Sequence, residues 1–315
     1  MRFQTPLMLL NRIHIFVIVA AALQSCFTGV ESTPKITEAD IRQQRAEVRS
    51  AEAMMFDSVA PQPFAEWKKG KKFIVDDKRI ALVVDGMAAA DSALVGMTLS
   101  FNRHEPYASI TGQKSAAIVL ADSLGNAYTY RTNIAFDNIT NKKKVEIPFT
   151  IEKSMVDDAD RMLRGQELFL TSSAVRDIDG NVVTSPKFMA VKIDKVVAGS
   201  QFYPIGVIFH YVDSPATKRK VFLSAGPSAD ARKFENFFSF SNPRDAHRQI
   251  SETTWQNIVN NRVEVGMSRD ECRLALGAPR QVERQPSRNG LRELWIYDSG
   301  QSLVFSDGLL SETRK

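Results

Sequence analysis

The feature that most constrains the fold is a long middle region, from about residue 64 to residue 225, in which short apolar segments alternate with turn residues. Alternation with a period of two is typical of β-strands, and Asp, Gly and Asn favour the turns between them. The pattern predicts hairpins that pair 71–75 with 79–84 and 116–121 with 127–132, a further turn at 177–181, and strands at 188–197 and 206–212. We therefore expect two antiparallel β modules, at 64–140 and 141–240.

A faint internal repeat runs through the same region. The segment 94–101 parallels 163–170, with a glycine at the third position of each, and 67–73 has a similar spacing from glycine to an aromatic residue. A duplicated module would explain this, and so would the general composition of β-hairpins. The sequence leaves both explanations open.

The amino-terminal segment predicts export and anchoring. Residues 13–23 form an apolar run that is too short for a helix to cross about 30 Å of hydrocarbon, but suits the core of a signal peptide. The run ends in Leu23-Gln24-Ser25-Cys26, which resembles a bacterial lipobox. The resemblance implies a signal peptide at 1–25, acylation of Cys26 with lipid such as palmitate, and attachment to the outer membrane on its periplasmic side. An ordinary secretory signal or an uncleaved anchor is the alternative.

The segment 26–63 is predicted to hold a tether and an amphipathic helix. Ile41, Val48 and Met55 recur every seven residues, which gives the segment 37–55 a narrow apolar stripe. A stripe of this kind packs against its own domain or, less commonly, against a partner helix.

The charge balance argues against a nucleic-acid partner. The chain has 41 basic and 36 acidic residues, and loss of Arg2 and Arg12 with the signal would leave 39 basic residues. Such a small excess is weak evidence for a polyanion partner. The densest basic run, Lys68-Lys69-Gly70-Lys71-Lys72, can be interpreted as a contact for phosphates or lipid headgroups, or as a solvated strand edge where lysines discourage edge-to-edge pairing.

The last 70 residues begin with a predicted helix at 245–260. A short helix follows, with Ser268 as N-cap, Glu271 completing a capping box, Gly277 as terminator and Pro279 beyond it. Segments 291–297, 302–306 and 309–313 then alternate as three strands of a meander. Cys272 falls on the apolar face of the short helix, so we expect it to be a core residue.

The motifs of this segment, in their order, resemble the SmpA/OmlA (BamE-like) lipoprotein domain. The residues that carry the resemblance are Gly266, Met267, Ser268, Glu271, Gly277, Pro279, Trp295, Tyr297, Phe305 and Gly308. The resemblance implies a domain at 241–315 with two helices on a small antiparallel sheet, as in β-lactamase-inhibitor-protein-like folds. It also implies a non-catalytic outer-membrane lipoprotein that assists the assembly of β-barrel proteins.

The sequence thus predicts the α+β class: antiparallel β modules in the middle and a two-helix, small-sheet domain at the end. We expect a periplasm-facing, non-catalytic assembly or scaffold protein with an envelope protein partner, no nucleic acid and no cofactor. No catalytic, cofactor-binding or metal-ligating residues are predicted. The alternative is an envelope-anchored module that binds a glycan or another ligand through the middle β region, and exposed aromatics such as Phe202, Tyr203 and Tyr211 would favour it.

Overall fold

The structure is a computed structural model that describes residues 49–88, 93–227, 231–287 and 290–314. The predicted signal peptide, Cys26, and most of the predicted tether and helix lie outside the described residues. The end of that helix lies within them as α1 (Ala51–Met54), which Ser50 caps by accepting a hydrogen bond from the Ala53 amide. No helix among the described residues is long and apolar enough to cross a membrane.

The first module is a curled antiparallel sheet with strand order β2-β5-β4-β3-β1-β6. Its strands are β1 (Lys72–Val75), β2 (Val84–Asp85), β3 (Thr98–Ala108), β4 (Lys114–Ala121), β5 (Ala127–Ala135) and β6 (Thr150–Glu152). Short 3-10 helices at Phe64–Glu66, Lys78–Leu82 and Phe136–Asn141 close over it. The central strand β4 is buried over six consecutive residues, and its apolar side chains pack with Phe73, Leu99 and Ile139.

The second module is a curled antiparallel sheet with strand order β13-β7-β10-β11-β12-β8-β9. Its strands are β7 (Glu167–Leu170), β8 (Ala174–Arg176), β9 (Val182–Thr184), β10 (Met189–Ala198), β11 (Ile205–Tyr211), β12 (Ser214–Leu223) and β13 (Phe238–Ser239). Helix α2 (Lys153–Leu163) follows β6 directly and packs against β10. Met155, Val156, Ala159 and Leu163 recur at helical spacing and bury one face of α2 in the module core.

The two sheets share one topology. In chain order, β1 to β6 correspond to β7, β8, β10, β11, β12 and β13, and β9 is an additional strand in the second sheet. A glycine with positive φ precedes the first strand of each: the Gly70 amide donates to the Phe101 carbonyl at 2.7 Å, and the Gly165 amide to the Ile193 carbonyl at 2.8 Å. A β-bulge follows each acceptor. These matches favour the duplicated module over a mere likeness of composition. They align β1 with β7, so the counterpart of 163–170 is the segment around 67–73, and the parallel drawn with 94–101 is wrong because that segment leads into β3.

The carboxy-terminal unit is built on a four-stranded antiparallel sheet with β14 (Gln281–Ser287), β15 (Gly290–Ile296), β16 (Ser302–Ser306) and β17 (Leu309–Arg314) in sequential order. Two short helices, α3 (Glu252–Val259) and α4 (Arg269–Leu276), cover one face of it. The unit docks on the second sheet through residues 185–189. The Phe188 ring stacks on Trp255 at 5.4 Å, and the Lys187 ammonium donates to the Ala275 carbonyl at 2.7 Å. Burial lowers the pKa of Lys187 to about 8.

The predicted α+β class is wrong. Most of the regular structure is β, arranged as two curled sheets and a third sheet with few helices. The carboxy-terminal region is a strand sheet, on which α3 and α4 have only eight residues each, rather than a two-helix BamE-like domain. One reason is that the predicted helix at 245–260 is broken: a 3-10 helix at Pro243–His247 precedes α3, and Ser251 starts α3 by capping it. Another is that β14 was not predicted, because its residues lack apolar alternation.

One local prediction in the first module is also wrong. The segment 79–84 does not pair with 71–75, because Asp77 caps a 3-10 helix at Lys78–Leu82 that buries Ile80. Strand β1 pairs with β3 from Lys72 to Ile74 and with β6 only from Phe73 to Val75, so this pairing does not decide between the two interpretations of the lysine run. The hairpins around 122–126 and 177–181 are confirmed as β4–β5 and β8–β9.

Candidate functional site

A recess of the first module lies between the segment 62–72 and the first turn of α2, and has a volume of about 710 Å³. Four lysines line it: Lys68, Lys71, Lys72 and Lys153. Glu66 and Asp157 are the acidic residues of its lining. We call this recess the lysine cleft.

A tight turn at Gly70 places the lysines. Gly70 has φ +92°, a conformation that side-chain-bearing residues rarely adopt, and its amide is held by the Phe101 carbonyl. Trp67 and Phe73, on either side of the turn, are both buried, with ring centroids 4.9 Å apart. The turn therefore has anchored ends and presents its lysines from a fixed backbone.

Lys71 differs from the other lysines because it is buried. Its ammonium contacts the Glu152 carboxylate at 2.5 Å, and the two side chains are only 7% and 8% exposed. It also donates to the Gln62 side-chain oxygen at 2.7 Å, while the backbone N–H of Gln62 donates to the Glu152 carboxylate at 3.2 Å. This ion pair ties the segment before the turn to β6, so Lys71 forms part of the wall rather than a free binding group.

Lys68 and Lys72 are the exposed cations of the cleft. Within the part of the chain that the structure describes, neither forms an ion pair, whereas Lys153 pairs with Asp157 at 2.5 Å. Lys142 and Lys143, which are both exposed, lie beside the same segment. The backbone N–H of Phe64 donates to the Lys142 carbonyl at 3.2 Å and fixes this position. The lysine cleft and its border therefore form a positively charged surface.

A smaller cavity of about 180 Å³ lies on the other side of the Lys71–Glu152 pair, walled by Phe73, Ile151 and Met155 among others. Gln201 from the second module also lines it. The backbone N–H of Gln201 donates to the Asp76 carboxylate at 2.7 Å, and the side-chain oxygen of Gln201 accepts from the backbone N–H of Phe149 at 3.1 Å. This cavity is smaller than typical ligand pockets, and we interpret it as a packing gap where the two modules join.

The chemistry that the lysine cleft offers is the binding of anions. An ammonium group carries three N–H donors and a full charge, which suit the oxygens of phosphates and carboxylates. No cluster of metal-ligating side chains lies among the described residues. The arrangement can therefore hold a negatively charged group, with an affinity that falls as salt is added.

Four of the motif residues predicted from the carboxy-terminal sequence, Met267, Trp295, Tyr297 and Phe305, lie in the apolar core of this unit, whereas Ser268 and Glu271 line a recess of about 470 Å³. Ser268 and Glu271 form the capping box, with a 2.7 Å bond from the Ser268 amide to the Glu271 carboxylate. Trp295 packs on Phe305 with ring centroids 4.6 Å apart. Tyr297 donates to the Gly277 carbonyl at 3.3 Å, and burial raises its pKa to about 12.

The remaining motif residues lie at the junctions of this unit. Gly266, Met267 and Gly308 join the α4 start to β17, and Pro279 lies between α4 and β14. Cys272 is fully buried, as expected for a core residue, and burial raises its pKa to about 12. Cys26 lies outside the described residues.

The three aromatic residues proposed for a ligand site differ in their exposure. Phe202 is 82% exposed, Tyr203 is half-buried, and Tyr211 is buried with its hydroxyl donating to the Pro186 carbonyl. Sequence reasoning singled out the lysine run but missed its buried partner Glu152 and the helix that completes the cleft. The apolar residues of that helix at helical spacing were the available signal. No family model and no curated protein matches this chain.

Proposed function

We propose that this protein is a non-catalytic binding component of the bacterial cell envelope, attached through acylated Cys26 to the periplasmic side of the outer membrane. In this proposal the lysine cleft holds a phosphate- or carboxylate-bearing partner. The observation that carries the proposal is the pair Lys68 and Lys72, exposed on a turn whose two ends are buried at the edge of a recess of about 710 Å³.

The fixed turn supports a binding role. Ordering long lysine side chains and a mobile loop around a ligand would cost entropy at the moment of binding. Here the backbone is already held by the Gly70 hydrogen bond and by Trp67 and Phe73, so only the two side chains need to be ordered. The protein would then act as a scaffold that keeps its anionic partner at the membrane. A role in β-barrel assembly stays a prediction from sequence.

The anchor is tested by Cys26→Ala in the full-length chain. Several acyl chains at about 0.8 kcal/mol per buried CH₂ would hold the wild type permanently in the membrane. We expect the wild type to incorporate radiolabelled palmitate and to resist extraction with high salt, and the variant to lose both properties. A variant that still carries label would refute acylation at Cys26.

The cleft is tested with pyrophosphate as the probe, by titration calorimetry on the full-length protein at low ionic strength. We expect the double variant Lys68→Gln, Lys72→Gln to bind at least about tenfold more weakly, because each lysine supplies a charge-assisted hydrogen bond. Lys192→Gln, Lys195→Gln is the matched control: it removes the same charge from exposed positions on β10. Equal binding by the two double variants would reject the cleft as the site.

A further inference from the structure

A second recess, separate from the lysine cleft, opens on the second sheet and has a volume of about 310 Å³. Two arginines, Arg176 and Arg232, and two aromatic rings, Tyr203 and Phe222, line it. We propose that this recess is a binding site for a six-membered ring that carries a carboxylate. This inference does not depend on the lysine cleft, and none of the cleft residues takes part in it.

The two guanidinium groups are held by the backbone around the recess. Arg176 donates from Nη1 to the Gly180 carbonyl at 2.6 Å, which also braces the β8–β9 turn. Arg232 donates from Nη1 to the Phe222 carbonyl at 3.3 Å, and its guanidinium lies 5.0 Å from the centre of the Tyr203 ring. Both side chains are half-buried.

Gly199 allows the loop that carries Tyr203 to approach the Phe222 ring. A Cβ on Gly199 would lie 2.1 Å from the Tyr203 carbonyl oxygen and 2.9 Å from the Phe222 ring, so no other residue fits there without movement. The loop that starts at Gly199 is tight, with Ser200 donating to the Tyr203 carbonyl and Gly199 to the Pro204 carbonyl, both at 3.0 Å. The Tyr203 backbone and the Phe222 ring on β12 therefore both lie against Gly199.

The recess lies at the place where the second module departs from the first. Arg176 ends β8 and Gly180 lies in the turn that leads to β9, the strand with no counterpart in the first sheet. The second module thus has one added strand, and the turn that leads to it supplies the Gly180 carbonyl that holds Arg176 beside the recess.

The chemistry of the lining selects the ligand class. An arginine fork matches a carboxylate in two parallel hydrogen bonds, while the flat aromatic rings offer apolar contact to the face of a ring. The volume is at the lower end of the range for small-molecule pockets, which suits a single ring better than a polymer. A uronic acid and an aromatic carboxylate share this chemistry, and the probes below separate them.

In the experiment, the full-length protein is titrated with glucuronate, benzoate or glucose, and binding is monitored by ligand-observed NMR. We expect glucuronate or benzoate to bind, with at least about tenfold weaker binding of glucose, because glucose lacks the carboxylate that accepts the charged hydrogen bonds. Glucuronate binding without benzoate binding identifies the ligand as an acidic sugar, and the reverse result identifies it as an aromatic acid. Failure of both acids to bind overturns the proposal.

Arg176→Lys keeps the charge but removes the fork, and we expect it to weaken the binding of the acid by at least about tenfold. Arg232→Lys is the second variant, and Arg280→Lys, exposed on the third unit, is the control. Circular dichroism melting identifies any variant that fails to fold. Binding that survives both recess variants, or that is lost in Lys68→Gln, Lys72→Gln instead, contradicts the assignment. Unchanged pyrophosphate binding by the arginine variants would leave the lysine cleft untouched, so the two proposals fail separately.

Discussion

Replacing Trp295 with alanine is expected to lower the free energy of unfolding by about 3–5 kcal/mol. The side chain is 1% exposed and packs against Phe305. Its indole N–H donates to the Glu293 carboxylate at 3.1 Å, and the Arg273 guanidinium lies 5.0 Å from the ring centre. The substitution therefore leaves a cavity between the third sheet and α4, and removes a donor from a carboxylate that is itself 2% exposed.

The measurement is urea unfolding followed by circular dichroism, with Ser268→Ala as the comparison. Removing that cap leaves the amide of Glu271 without its acceptor at an accessible helix end, and we expect a loss of about 1 kcal/mol. Losses of equal size in the two variants would show that Trp295 does not hold the third unit together.

Lys71→Met is expected to cost about 3–5 kcal/mol, because it leaves the Glu152 carboxylate buried without its cation. The Lys71 ammonium also lies 5.4 Å from the ring centre of Trp67 and 5.7 Å from that of Phe73, and methionine keeps much of the side-chain length while removing the charge, so the effect is mainly electrostatic. Glu152 also retains the weaker donation from the Gln62 amide, which cannot neutralise a full charge.

The double variant Lys71→Met, Glu152→Leu separates the ion pair from packing. Since replacing both charges by apolar groups is often close to neutral, we expect it to regain most of the lost stability. Lys153→Gln is the control, since it breaks an exposed pair with Asp157 and should cost no more than about 1 kcal/mol. A double variant as unstable as Lys71→Met would show that the pair is not the source of the loss.

Local features of the fold were predictable from the sequence. The turn at 122–126 is one example, because Asp122 accepts hydrogen bonds from the amides of Leu124 and Asn126 within the turn itself. The capping box at Ser268 is another, since both of its hydrogen bonds join residues three apart. Where the determining contacts lie within a few residues, the residue types suffice.

Long-range pairings were not predictable in the same way. Strand β1 lies between β3 and β6, and no property of four residues specifies partners that follow so much later in the chain. The same limit applies to the lysine cleft: the run 68–72 was visible, but Glu152, which buries Lys71, lies 81 residues further on. The α+β expectation failed because it weighed two short helices more heavily than the four strands beside them.

The position of the closing strand has a consequence for how the chain reaches this structure. Each of the first two sheets is completed on one side by its last strand, β6 beside β1 and β13 beside β7. During synthesis from the amino terminus, one edge of β1 stays unpaired until β6, which ends at residue 152, has been made. Pairing of two strands so far apart in the sequence is slow compared with hairpin formation. A fragment that ends at residue 140 would keep the β3–β4–β5 meander but expose the β1 edge. Open edges of this kind pair with other chains, so self-association would begin at the first strand of each module while its last strand is missing.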